Sequence, residues 1–144
     1  MKIGKKKLKE IYRYVSDVLD KKKSQELNKL YEEYQKKQED LHNNFKREAL
    51  DYILSNLDSM TYYFDKHWKG SYYIRFWLPD AMNKKFDSHF TALQKEYEEQ
   101  KNAINKKYTD LFNKLNEWYD ENYKKIVFGG VPDIPDWISE IVGL

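Results

Sequence analysis

Residues 60–80 read MTYYFDKHWKGSYYIRFWLPD, eight aromatic rings set between two long polar segments with helical spacing. Lys69-Gly70-Ser71 is a turn signal. Tyr62-Tyr63-Phe64 on one side of it and Tyr72-Tyr73-Ile74-Arg75-Phe76-Trp77 on the other are strong strand formers. The stretch predicts a small β-hairpin or an ordered aromatic loop. Two strands alone are marginal in water, so such a hairpin needs helix ends or a partner beneath it. Pro79 excludes helix before it, and Asp80 is placed to cap a helix after it.

Upstream of this junction, Leu27, Tyr31, Tyr34, Gln38, Leu41, Phe45, Ala49 and Tyr52 alternate steps of three and four, as a helix needs to bury one seam. Gln38 is a polar residue inside that seam. Downstream, Phe86, Phe90, Leu93, Tyr97, Gln100, Ile104, Tyr108, Leu111, Leu115 and Trp118 repeat the pattern until Gly129-Gly130 stops it. Two such helices joined at residues 60–80 predict a long antiparallel helical hairpin, a coiled coil in which each seam covers the other.

At the amino end, Leu8, Ile11, Tyr12, Val15, Val18 and Leu19 define a separate amphipathic helix. Its seam fails across Asp20-Lys21-Lys22-Lys23, and Ser24 offers an N-cap for a new start. At the carboxyl end, two prolines and a glycine pair forbid continued helix. Asp136 then caps a short turn whose Trp137, Ile138, Ile141 and Val142 form one apolar strip, expected to fold back onto the helices or to dock on a partner. The chain thus reads as one mainly-α domain. Its parts are an amphipathic helix over 4–20, a long helix over 24–58, the aromatic junction over 60–80, a second long helix over 81–127 and a Gly/Pro tail with a short helix over 128–144.

Composition narrows the function. Charged residues make up 35% of the 144, so the apolar load falls on 13 Tyr, 7 Phe and 4 Trp, which suit thin helical interfaces better than a thick aliphatic core. There is no cysteine, which removes disulfides, thiolate metal sites and cysteine nucleophiles. No run approaches the ~20 apolar residues of a membrane span, and no apolar stretch follows the lysines near the start as a signal peptide requires. A cytoplasmic protein without a membrane partner is the expectation. The abundance of Lys, Asn, Tyr and Ile suits an AT-rich genome, such as a low-GC bacterium or its phages.

No phosphate-cradling glycine loop, G-x-S-x-G or H-E-x-x-H pattern occurs. Glu39 and His42 have the Glu-x-x-His spacing of di-iron bundles, but a second copy is missing, and they read as ordinary surface residues. The expectation is therefore no enzyme, no cofactor and no metal.

What remains is binding. Tyr62, Tyr63, Trp68, Lys69, Tyr72, Tyr73, Arg75 and Trp77 have the chemistry of interface hot spots, with Trp137 and Ile141 as a second contact. The leading expectation is a small protein-binding module, phage-like, that inhibits or regulates a host macromolecule by docking. A self-assembling coiled coil, such as a homodimer with seams paired between chains, is the alternative. A third reading is nucleic-acid binding through Lys5, Lys6, Lys7, Lys9, Arg13 and the aromatic junction. The net charge of +2 gives it no global support, although residues 1–23 hold nine bases against three acids.

Overall fold

The computed structural model describes residues 3–143. The fold is mainly α, with two long helices joined by a small antiparallel β-hairpin and followed by a short helix. The elements are α1 (Lys5–Asn56), β1 (Tyr62–Lys66), β2 (Tyr72–Phe76), α2 (Asp80–Val127) and α3 (Asp136–Val142). Their contacts group into two compact units, one of residues 1–31 with 99–144 and the other of residues 32–98.

One expectation fails at once. No break separates residues 20 and 24, because α1 runs unbroken through Ser24. The buried side of α1 continues from Leu19 through the half-buried Lys23, Glu26 and Leu27 to Leu30. Lys23 and Glu26 occupy seam positions, which is why the apolar pattern lapsed. A lysine stem covers apolar surface while its ammonium stays wet. Glu26 accepts a hydrogen bond from Lys107 Nζ at 2.9 Å. With no Gly or Pro in the stretch, nothing stops the helix.

In the first unit, Leu8, Ile11, Val15 and Leu19 of α1 form a closed core with Tyr108, Leu115 and Trp118 of α2 and Ile138 of α3. Trp137, Ile141 and Val142 pack against it. The tail strip thus folds back, as one of the two expectations had it. Behind it lies an interaction the apolar pattern missed. The buried Asn122 donates to the Trp118 carbonyl at 2.8 Å and accepts from the Asp133 N–H at 2.6 Å, while Trp118 Nε1 donates to the Asp133 carbonyl at 2.7 Å. Two of these bonds fasten the tail to α2, and the third, from Asn122 to Trp118 within α2, holds the amide in place.

The exit from α2 uses glycine because the chain turns left-handed there. Gly129 sits at φ 80°, its N–H donating to the Ile126 carbonyl, and the Gly130 N–H donates back to Lys125. This is a Schellman turn, whose left-handed residue has almost no cost only as glycine. Asp80 and Asp136 prove to be first-turn residues rather than caps. The carbonyls of Pro79 and Pro135 accept the first helical bonds, leaving each carboxylate to favour the positive helix end.

In the second unit, the partner on α2 falls in number as the residue on α1 rises. Tyr34 stacks on Tyr97 at 4.4 Å, Lys37 bonds Glu96, Phe45 packs on Phe86 at 4.5 Å, and Lys85 bonds Glu48. The two segments are antiparallel. Their seam, Tyr34, Gln38, Leu41, Phe45 and Ala49 against Phe86, Phe90, Leu93 and Tyr97, is only half-buried. Every fully buried residue among those described belongs to the first unit. Two predicted seam members also shift by one residue. Leu30 is buried where Tyr31 was expected, and Gln100 is exposed while Lys101 is half-buried, because 3.6 residues per turn drifts off a strict heptad count.

Candidate functional site

The candidate site is the β-hairpin of the second unit. Gly70 at φ 92° makes its turn, and the Gly70 N–H donates to the His67 carbonyl at 2.8 Å. The strands pair Tyr62 with Phe76, Tyr63 with Arg75, Phe64 with Ile74, Asp65 with Tyr73 and Lys66 with Tyr72. Hydrogen bonds from His67 N to Ser71 O and from Trp77 N to Thr61 O fix the phase of the ladder. Residues 63, 65, 73 and 75 therefore aim their backbone groups between the strands. Tyr62, Phe64, Lys66, Tyr72, Ile74 and Phe76 aim theirs outward, to the two open edges of a two-stranded sheet.

Alternation sorts the side chains into two faces. One carries a polar network, in which Arg75 donates to the Tyr63 hydroxyl at 3.3 Å and the Tyr73 hydroxyl at 3.1 Å and pairs with Asp65 at 3.5 Å. Tyr73 in turn donates to Asp65 at 3.2 Å. The hydrogen bond to Tyr63, followed by that to Tyr73, raises the Arg75 pKa above its ordinary value. Trp77 lies beside Tyr63 on this face, with ring centroids 6.1 Å apart.

The other face is apolar. It holds Tyr62 against Phe76, Phe64 beside Ile74, and Lys66 with its ammonium 5.9 Å over the Tyr72 ring. Neither face is covered. Phe64 is 69% exposed and Tyr72 70%, while Trp68 at the turn is 83% exposed with the Lys69 ammonium 5.0 Å over its ring. In the same unit, Leu50, Leu54 and Leu57 form a further exposed apolar stripe at the end of α1.

Of the residues named from sequence, the hairpin brings together Tyr62, Tyr63, Trp68, Lys69, Tyr72, Tyr73, Arg75 and Trp77. Trp137 and Ile141 belong to the first unit and pack against its core, so their apolar surface is largely used in holding the tail down. Lys5, Lys6 and Lys9, from the nucleic-acid reading, line an open cleft of about 740 Å³ with Tyr119, Asp120, Tyr123 and Lys124. Lys7 instead pairs with Glu10 at 3.8 Å, and Arg13 is exposed.

The sequence reading missed Phe64, Ile74 and Asp65. The signal was present in the period-two alternation of 62–66 and 72–76, which separates an apolar face from a polar one once the register is known. His42 lies against the Phe86 ring at 5.3 Å. Among the described residues no group of three or more His, Cys, Asp or Glu is placed to hold a metal ion, and no helix is long and apolar enough to cross a membrane. No protein-family model matches this chain, and neither do any curated protein or solved structure.

Proposed function

We propose that this chain is a non-enzymatic docking module that grips a protein partner at the aromatic hairpin, inhibiting or regulating it by occupancy rather than by chemistry. The observation that carries the reading is the hairpin itself, two strands with both faces and both edges uncovered. A hairpin of this size contributes little stability alone. Burying Phe64, Ile74 or Tyr72 at an interface is worth about 1.5–3 kcal/mol each, which gives a partner ample grip. The polar network on the opposite face holds Tyr63, Tyr73 and Arg75 in fixed geometry, so less entropy is lost on docking.

The test is affinity capture from lysate of the source organism, with and without nuclease. Wild type is compared with a variant carrying Phe64→Ala, Trp68→Ala and Tyr72→Ala. One protein retained by wild type, indifferent to nuclease and lost in the variant at unchanged far-UV helicity is the expected result. Equal retention by the variant refutes docking at the hairpin. Recovery of nucleic acid alone, released steeply by salt, would move the function to Lys5, Lys6 and Lys9.

A further inference from the structure

The two edges of the hairpin are not equivalent. On β1 the edge-facing residues are Tyr62, Phe64 and Lys66, and a lysine on an edge strand discourages pairing with another chain. On β2 they are Tyr72, Ile74 and Phe76, all uncharged, with no proline and no bulge to blunt them. A strand edge of this kind is a template for a further strand.

The sequence of β2, Tyr72-Tyr73-Ile74-Arg75-Phe76, is chemically self-complementary when paired antiparallel with itself about Ile74. In that register Tyr72 faces Phe76 of a second copy, Ile74 faces Ile74, and Tyr73 faces Arg75. The edge-facing residues then meet one another, so Tyr72 with Phe76, Ile74 with Ile74 and Phe76 with Tyr72 each exchange two hydrogen bonds, while Tyr73 and Arg75 meet as a non-hydrogen-bonded pair. Ring meets ring on the apolar face. On the polar face guanidinium meets phenol, a contact the single chain already makes, with the Arg75 guanidinium 5.3 Å over its own Tyr73 ring. Centring the pairing on Arg75 would oppose two like charges, and centring it on Tyr73 would leave Phe76 without a partner in the strand. The register about Ile74 satisfies the whole five-residue strand.

We infer that β2 pairs with β2 of a second copy of this chain across a two-fold axis at Ile74, giving a four-stranded antiparallel sheet in the order β1-β2-β2-β1. This rests on the reading of the hairpin as the docking element, but it uses only the β2 edge. The combined sheet keeps its two apolar faces side by side, which doubles the surface offered to a protein partner. Four strands also exceed the two that are marginal alone. The contact is small, so association in the micromolar range is expected.

The chain's lack of cysteine permits a direct test. In the proposed register the two Ile74 Cα atoms lie about 5.5 Å apart, within disulfide range. The two Phe64 Cα atoms would be separated by three strand spacings, roughly 14 Å, which no disulfide spans. Under mild oxidation the Ile74→Cys chain is expected to form a covalent dimer, and the Phe64→Cys chain is not. Sedimentation at about 100 µM, well above a micromolar Kd, should show wild type as a dimer. It should show Ile74→Pro as a monomer and Phe64→Pro as a dimer. Each proline removes one outward N–H and no bond within the hairpin.

Monomeric wild type, cross-linking at Phe64→Cys as readily as at Ile74→Cys, or a dimer that survives Ile74→Pro would each overturn the inference. The last result would assign association to the helical seams. A captured protein partner with a monomeric chain would leave the docking function standing without the β2 pairing.

Discussion

Replacing Asn122 with Ala tests the polar fastening of the tail quantitatively. The side chain is buried, accepting from the Asp133 N–H and donating to the Trp118 carbonyl, and the substitution removes both bonds. Their net loss costs about 0.5–1.5 kcal/mol each, and an Asp133 N–H left dry adds about 1–3 kcal/mol. The total is about 2–4 kcal/mol, allowing for some water reaching the partly buried amide. For a chain of this length that lowers the melting temperature by roughly 5–15 °C. The internal control is Asn116, whose Oδ1 accepts from the Tyr12 hydroxyl at 2.6 Å in an exposed setting. There water replaces the lost partner, and Asn116→Ala should cost less than about 1 kcal/mol. Circular dichroism melts measure both, and amide exchange at Asp133 reports whether the tail has been released. Equal melting of the two variants, or unchanged exchange at Asp133, would refute the assignment of stability to the buried bond.

The Schellman turn predicts that Gly129→Ala destabilises by about 1–2 kcal/mol, because φ 80° is unfavourable for a residue with a Cβ, although the space around it is open. Gly4→Ala, at the N-cap of α1 where the Gly4 carbonyl accepts from the Leu8 N–H but φ is not positive, should cost less, about 0.5 kcal/mol, in the same urea titration. Burial, reinforced by Glu26, raises the Tyr108 pKa, and the Lys107 pKa is raised by its hydrogen bond to Glu26. A raised folded-state pKa means stability that is complete below the unfolded value, near 10 for tyrosine, and lost as pH rises through the folded value. Tyr108→Phe should therefore flatten the fall in melting temperature as pH rises above about 10, and an unchanged slope would contradict it.

Much of the fold was legible because local rules carry it. Steps of three and four placed Leu8, Ile11, Val15, Leu115 and Trp118 on helical seams, the Lys69-Gly70-Ser71 turn between aromatic runs announced the hairpin, and Gly129-Gly130 ended α2. The failures share a cause. Lys23 and Glu26 look like an interruption because a hydropathy pattern reads side-chain identity, whereas a helix seam accepts a polar side chain whose stem covers neighbours and whose head finds water or an ion pair. Asn122 looked like any polar helix residue because its partner, Asp133, lies eleven residues away in a segment with no regular pattern.

The same division holds at the candidate site. By itself the sequence determined which residues are aromatic, where the chain must turn and that the helices meet at residues 60–80, since these follow from local propensity and spacing. Only the tertiary structure decided that Ile138 and its strip close the first unit's core, while Phe64, Ile74 and Tyr72 stay uncovered. Burial depends on which surfaces the rest of the chain has left to offer. The α2 seam could cover the tail, but nothing in the second unit covers the hairpin, so one apolar strip became core and the other became surface.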